Sequence, residues 1–475
     1  MVERLPLLSQ AYDWLDQHRS FLLRVVAPVG VLAVAFALGT APNAIYLVGF
    51  AGIAGLVALL RYPMLGYVAL IVGSLAVPFA LGTGSESTLN PGLLVAVMLL
   101  GLWVMRMIHR RRFVLVRSRT MAPLLAFVLI AVLAFINGQM PWFMLPPAPI
   151  RAQIGALFVF VLSAGVFLVV ANEVREQKWL ERLTWLFLIV GGLLVLIEFL
   201  PPLRQLQLPI PQSVYAGSLF WMWLVTMAFS QAMFNRKLRP LWRGVLFGLL
   251  FITLFMSVIQ RRDWLSGWMP SLVSMVVILL LGSPRLGVLA SLAGAVIVVA
   301  RFANISETLM GSDNSYSLMT RLAAWSILGE VIKINPVLGL GPANYYWYTP
   351  AFNILGYSLN FNSHNNYVDI AAQLGLLGLA CFLWLAWRIG RLGWDLRLQA
   401  PEGFPRAYVY GMMGGLAGTM VAAFLGDWVL PFVYNVGLAG FRVSVMGWLF
   451  LGGLVALEQM LKNAQPAATD NRSGI

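Results

Sequence analysis

Apolar stretches of roughly 20 residues recur from Phe21 to the last quarter of the chain, separated by short connections, and they leave little choice of fold. A helix rises ~1.5 Å per residue, so crossing a hydrocarbon core of ~30 Å takes about 20 apolar residues. On that rule there are about fourteen spans, near 21–38, 42–60, 64–80, 91–108, 121–136, 153–172, 181–200, 213–233, 242–259, 264–281, 285–301, 365–387, 407–425 and 436–459. The pieces across 21–80 read equally as two spans or three. Every backbone polar group inside lipid must be satisfied within its own segment. The expectation is an all-α, polytopic integral membrane protein with about 12–14 transmembrane helices.

Composition agrees. The chain is 60% hydrophobic and 11% charged, where soluble domains average about 45–50% and about 25%. One cysteine, Cys381, excludes a disulfide framework and a cysteine-built metal site. His18, His109 and His364 lack the spacing of a histidine metal site, so neither a metal nor a cofactor is expected. The first twenty residues mix charges and no small-residue cleavage site follows the first apolar run, so Phe21 onward reads as a retained span. A net charge of +14 would suit nucleic acid, but the basic residues alternate with the spans, as the positive-inside bias requires. Lipid bilayer is the expected partner, and nucleic acid is not.

That alternation sets the orientation. With the N-terminus in the cytoplasm, one set of connections collects Arg106, Arg110, Arg111, Arg112, Arg117 and Arg119, then Arg175, Lys178 and Arg182. It also collects Arg236 to Arg243 and Arg388 to Arg406, so both termini are expected to be cytoplasmic. The informative basic residues are those left on the outer side: Arg151, Arg204, Arg261, Arg262, Arg301, Arg321, Lys333 and Arg442. Long side chains at span ends can snorkel to the interface, and that reading suits Arg204 and Lys333. At Gln260-Arg261-Arg262-Asp263-Trp264, Asp263 can pair with one arginine and leave the other free.

By sequence the chain divides into an N-terminal transmembrane bundle (1–301), a large extracytoplasmic loop (302–363), C-terminal transmembrane helices (364–462) and a disordered cytoplasmic tail (463–475). The loop is rich in uncharged polar and aromatic residues. Within it Leu318, Leu322, Trp325, Leu328 and Ile332 give one apolar face, so an amphipathic helix should lie on the membrane or on the bundle and end before Asn335-Pro336. Arg321 sits at the edge of that face, where packing of its stem alone would also account for it. Tyr345–Tyr348 either stacks on sugar faces or forms an interfacial belt. His364 lies where the chain re-enters the membrane. If Asn362 or Ser363 caps the next helix, His364 occupies its first turn, where the helix dipole favours neutral imidazole and nearby N–H groups favour an anion. Outer arginines, an aromatic polar loop and one outer histidine together describe a site for an anionic, sugar-bearing lipid.

These residues resemble the O-antigen ligase/polymerase superfamily of bacterial envelope glycosyltransferases. The resemblance rests on Gln260-Arg261-Arg262-Asp263-Trp264-Leu265 for the family's Ser-Arg-x-x-Trp-Leu, and on Arg321 and Trp325 followed by Pro336, Gly339 and Gly341. It continues in His364, Asn365 and Tyr367 followed by Gly375 and Gly378. Gln373 stands where the family has an acidic residue, so no role carries onto it. The resemblance implies transfer of glycan from undecaprenyl diphosphate to lipid A core, to protein or to another lipid-linked glycan, at the outer face of the bacterial cytoplasmic membrane. On it, Arg261, Arg321 and His364 are the expected catalytic residues. Arg151, Arg262, Trp325, Gly339, Gly341, Asn365 and Tyr367 are the expected substrate-binding residues. The competing class is a lipid-linked oligosaccharide flippase, which needs polar or charged residues lining a path through mid-membrane; only Glu198 is obviously placed within a span, near its outer end, so the sequence offers no such path. A scaffold protein would explain the spans but not the clustering of Arg261, Arg321 and His364.

Overall fold

Each apolar stretch from residue 64 onward forms a helix. The computed structural model describes residues 52, 55 and 59–464, except 83–87, 113 and 301–311. The spans expected across 21–60 lie outside the described residues but for 52, 55, 59 and 60, and His18, Arg301 and the tail 465–475 lie outside them too. The chain divides into two compact units, Met1–Leu65 and Gly66–Ile475, and the helix bundle belongs to the second. Its helices are α1 (Met64–Leu75), α2 (Pro91–His109), α3 (Met121–Asn137), α4 (Ile150–Glu173), α5 (Gln177–Phe199), α6 (Ser218–Phe234) and α7 (Pro240–Gln260). They continue as α8 (Leu265–Gly282), α9 (Pro284–Ala300), α10 (Ser312–Ile334), α11 (Asn344–Tyr348), α12 (Asn366–Gln399), α13 (Phe404–Leu425) and α14 (Phe441–Ala464). Eight are long and apolar enough to cross a membrane, and α1, α3, α6 and α9 are shorter apolar helices. The protein is an all-α polytopic membrane protein.

The helices before and after residues 302–363 share one bundle. α13 packs on α8 and α6, α14 on α4, and α12 on α3. Lipid supplies no hydrophobic drive between helices, so small residues and close backbone approach must hold them. At Gly418 of α13 an added Cβ would stand 2.7 Å from the Pro270 carbonyl of α8. α6 and α14 are buried nearly all round, as expected of central helices.

Arg442, one of the basic residues that topology leaves over, has a structural employment. Buried in the first turn of α14, it donates to the carbonyls of Gly73, Ser74, Val77 and Phe79 at 2.7–3.3 Å. Gly73 and Ser74 lie in the last turn of α1, whose carbonyls lack helical partners, and Val77 and Phe79 lie in the chain that follows it.

Residues 312–363 form more than a surface loop. Ala324, Leu328 and Val331 of α10, Tyr345 and Tyr348 of α11, Ile354 and Phe361 make a second core with Phe432. Trp142, Phe143 and Leu145 from the connection after α3 pack against it. α10 ends at Ile334 as expected, but its buried stripe is set one step round from the predicted one. Leu322 and Met319 are exposed while Ala324 and Val331 are buried. A helix beside a membrane carries apolar residues toward lipid as well as toward protein, so hydropathy alone does not separate the two faces. The aromatic run divides likewise: Tyr345 and Tyr348 are core residues, and Tyr346 is half-buried.

α12 is broken at Gly375, whose φ of 69° and ψ of −178° leave the helix. The segment Pro336–Gly341 fills the break. Leu340 N–H donates to the Ala372 carbonyl at 2.9 Å and Gly341 N–H to the Gln373 carbonyl at 3.0 Å. On the other side Leu376 N–H donates to the Pro336 carbonyl at 2.7 Å and Leu377 N–H to that of Val337 at 3.4 Å. The Gln373 side chain, given no role from sequence, accepts from Ala343 N–H at 2.9 Å. Asn344 joins the same seam to Gly138 and Ala148.

A side chain at 375 would be strained twice, by the positive φ and by the Val337 carbonyl 2.1 Å from its Cβ. Gly375→Ala should therefore destabilise the protein by about 1–3 kcal/mol or more. Gly329→Ala, in α10 with open space around its Cβ, should be neutral or stabilising by up to ~1 kcal/mol. Thermal unfolding of the two variants in lipid checks the contrast; equal midpoints would remove the splice from its structural role.

Candidate functional site

A cavity of about 240 Å³ opens between α10, the chain leading into α12 and the connection after α13. Arg321 and His364 both line it. So do the amide side chains of Asn360, Asn362 and Asn435 and the rings of Tyr346 and Tyr434, which stack 4.6 Å apart. The wall is cationic, amide-rich and aromatic.

Arg321 reaches the cavity because it shares the protein-facing side of α10 with Ala324 and Leu328. Among the described residues it makes no ion pair. Partial burial lowers its pKa and the charge of buried Asp427 acts the other way, so a cation with an incomplete partner faces the cavity.

His364 is placed differently from expectation. The cap of α12 is Asn365, whose side chain accepts from Tyr367 N–H and Val368 N–H, so His364 precedes the helix instead of lying in its first turn. Its φ of 49° is unusual for a non-glycine residue. The turn is held on all sides. Trp325 Nε1 donates to the Ser363 carbonyl at 2.7 Å, and the Ser363 hydroxyl accepts from Asn365 N–H at 3.0 Å. Asn366 accepts from Val429 N–H and donates to the Leu430 carbonyl, which ties the turn to the connection after α13.

That connection supplies the groups behind the imidazole. Buried Asp427 accepts from Phe432 N–H at 3.0 Å and from Asn435 Nδ2 at 2.6 Å. Asn435 Nδ2 lies 3.2 Å from His364 Nδ1. With Asp427 ionised, the amide must turn its NH₂ toward both neighbours, so Nδ1 accepts and neutral His364 carries its proton on Nε2. With Asp427 protonated, the amide can turn over, Nδ1 can donate, and Nε2 becomes the acceptor. Burial pushes the Asp427 carboxyl up, in the direction of the protonated form. Burial and then the Arg321 charge push the His364 pKa down. The cause is not the helix dipole, since His364 lies outside the helix.

Beneath this row lies a second buried carboxylate, Asp369. Its Oδ1 accepts from the Tyr345 hydroxyl and lies 2.7 Å from the Ser363 hydroxyl, and its Oδ2 has no partner among the described residues. Burial and the Asp369 charge raise the Tyr345 pKa well above its ordinary value, so the phenol stays a donor.

The other predicted site residues do not line the cavity. Arg261 follows the π-helical last turn of α7, donates to the Tyr215 carbonyl at 2.9 Å, lies over the Trp221 ring and pairs with Glu198 at 3.4 Å. It is therefore not the free arginine of its pair. Arg262 is exposed and 3.8 Å from Asp263, and Arg151 is exposed on α4. Gly339 and Gly341 belong to the splice at Gly375; their φ values of 67° and 90° permit that path. Asn365 is a cap, Tyr367 donates to the Met420 carbonyl, and Trp325 braces Ser363. Among the described residues no three His, Cys, Asp or Glu side chains gather as metal ligands. Asp427 and Asn435 were missed. An acid at the end of an apolar run, as at Leu425-Gly426-Asp427-Trp428, is a usable signal; a lone asparagine in a connection is not.

Because the fold disfavours the imidazolium, the unfolded chain binds that proton first, and His364 costs stability as pH falls below about 6.5. Imidazole ¹⁵N spectra, with the resonance identified by its loss in His364→Gln, should show titration below about 6.5 that moves upward in Arg321→Gln. An unchanged midpoint in that variant would separate the two side chains. No protein-family model and no curated protein matches the sequence.

Proposed function

We propose that this protein is a membrane glycosyltransferase of bacterial surface polysaccharide synthesis, moving glycan from an undecaprenyl diphosphate carrier to an acceptor hydroxyl. The carrying observation is that one cavity brings together Arg321 and His364, far apart in sequence, with amides and stacked tyrosines between them. Amides and aromatic faces suit sugar, and a cation without a full partner suits diphosphate. Basic residues gather instead at the other end of the bundle, around Arg388 and Arg117. This supports an outward-facing cavity in the cytoplasmic membrane. The acceptor is a glycan, lipid A core or protein hydroxyl.

In the reaction the acceptor oxygen forms a bond to the anomeric carbon as the bond from that carbon to the diphosphate oxygen breaks. Negative charge develops on the diphosphate, where the Arg321 guanidinium can bind two oxygens at once. The acceptor proton must leave. With Asp427 protonated, His364 Nε2 takes it as a base; with Asp427 ionised, Nε2–H instead orients the hydroxyl and the proton passes to an oxygen of the departing diphosphate. Arg261 already serves the Tyr215 carbonyl, Trp221 and Glu198, and in this reading it belongs to the wall of the bundle.

The test supplies purified protein in lipid with undecaprenyl-diphosphate-linked repeats. A ladder of longer lipid-linked glycans identifies a polymerase. Transfer that requires added lipid A core or a membrane extract identifies a ligase. Donor left intact in both removes the proposal. His364→Ala should keep donor affinity and lower turnover within the ~10²–10⁴-fold expected for proton transfer. Arg321→Lys keeps charge but loses the planar fork, so donor affinity and rate should both fall; unchanged values would take the diphosphate away from Arg321.

A further inference from the structure

The far end of α12 borders a second cavity, of about 570 Å³, formed with the connection between α2 and α3 and the last turns of α14. Five basic side chains line it: Arg117, Arg119, Arg388, Arg391 and Lys462. Its two acids are already engaged, Asp395 with Arg391 at 3.3 Å and Glu458 with Lys462. Arg117, Arg119 and Arg388 have no acidic partner among the described residues, so the cavity carries uncompensated positive charge.

The positive-inside bias places Lys and Arg in connections, but it does not build a concavity. Arg388 lies on the helix itself, half-buried, its guanidinium over the Trp387 ring at 4.6 Å. Its Nε is buried and has no hydrogen-bond partner among the described residues. A buried donor normally finds an acceptor, and the charge around this one specifies an anion. Arg388 directly follows the apolar run 365–387 of α12, a helix long and apolar enough to cross the ~30 Å hydrocarbon core. It is thus at headgroup depth on the side opposite His364. Trp384, Trp387 and Trp394 are exposed along the same part of α12, as aromatic residues are where a helix leaves lipid.

We infer that this cavity binds a phosphate group, and that its source is an anionic membrane phospholipid. Guanidinium groups take phosphate oxygens in pairs, the volume suits a headgroup, and the depth and the tryptophans put the opening beside lipid. Basic pockets between helices are a recognised way to hold such headgroups.

The full-length protein, extracted from vesicles of phosphatidylcholine with phosphatidylglycerol and cardiolipin, is examined by native mass spectrometry. Retained anionic lipid should fall about fivefold in Arg388→Gln and in Arg119→Gln, the loss expected for one basic contact. Arg112→Gln removes the same charge from an exposed residue that does not line the cavity, and should change nothing. Melting in phosphatidylcholine alone establishes that the variants fold, and exposed Arg119 carries the test if Arg388→Gln does not. Equal losses in all three variants, or none in either cavity variant, overturn the site. Stabilisation by inorganic phosphate that depends on Arg119, without lipid retention that does, overturns the lipid source and leaves a site for soluble phosphate.

Discussion

The break in α12 at Gly375 is the constraint on which the rest of the site depends. A helix that stops inside a bilayer frees carbonyls on one side and N–H groups on the other, and lipid satisfies neither. Here Pro336–Gly341 supplies both sets of partners from a single strand of irregular chain. Because that chain is bound at its midpoint, α10 before it and α11 after it are fixed against α12. The position of Arg321 on α10 and of His364 before α12 follow from the same seam. Asn137, Asn344 and Gln373 extend it to neighbouring backbone, which explains why amide side chains appear where an apolar bundle would otherwise be expected.

Electrostatics then act on a frame already built. Two carboxylates, Asp369 and Asp427, are buried behind the cavity, and Arg321 and His364 face it. The acids are held by hydroxyl, amide and backbone donors, and among the described residues neither has an arginine within ion-pairing distance. Arg321 therefore faces the cavity without an ion-pair partner among the described residues, while Asp427 is linked to His364 through one amide. A direct ion pair would have neutralised the cavity. The opposite end of the bundle repeats the pattern with different residues: its acids are spent on Arg391 and Lys462, and Arg388 is left over.

Much of this was legible in the chain. The spans from 64 onward and the end of α10 at Asn335-Pro336 came from hydropathy and a proline, and charges out of place singled out Arg321 and His364, which the fold brings to one cavity. The resemblance assigned the residues of its motifs one meaning, as parts of a substrate site. Gly339, Gly341, Asn365 and Tyr367 stand in the same motifs as Arg321 and His364, yet they hold backbone together and do not face the cavity. A motif records that a residue is needed at a position without recording whether it touches substrate or supports what does. Arg261 illustrates the same ambiguity, since Glu198, 63 residues away in sequence, meets its charge.

The sequence by itself determined the class of fold. Backbone in lipid has few ways to satisfy its hydrogen bonds, so apolar length and basic punctuation suffice to specify a polytopic helical bundle. Only the tertiary structure decided which polar residues meet. Asp427 and Asn435 reach His364 from a connection more than 60 residues downstream, and the orientation of one amide sets which imidazole nitrogen can act. Such pairings depend on helix rotation and on where a helix is broken. A one-step rotation exposes Leu322 and buries Ala324 with almost no change in the hydrophobic pattern, and that pattern is all that a linear reading can use.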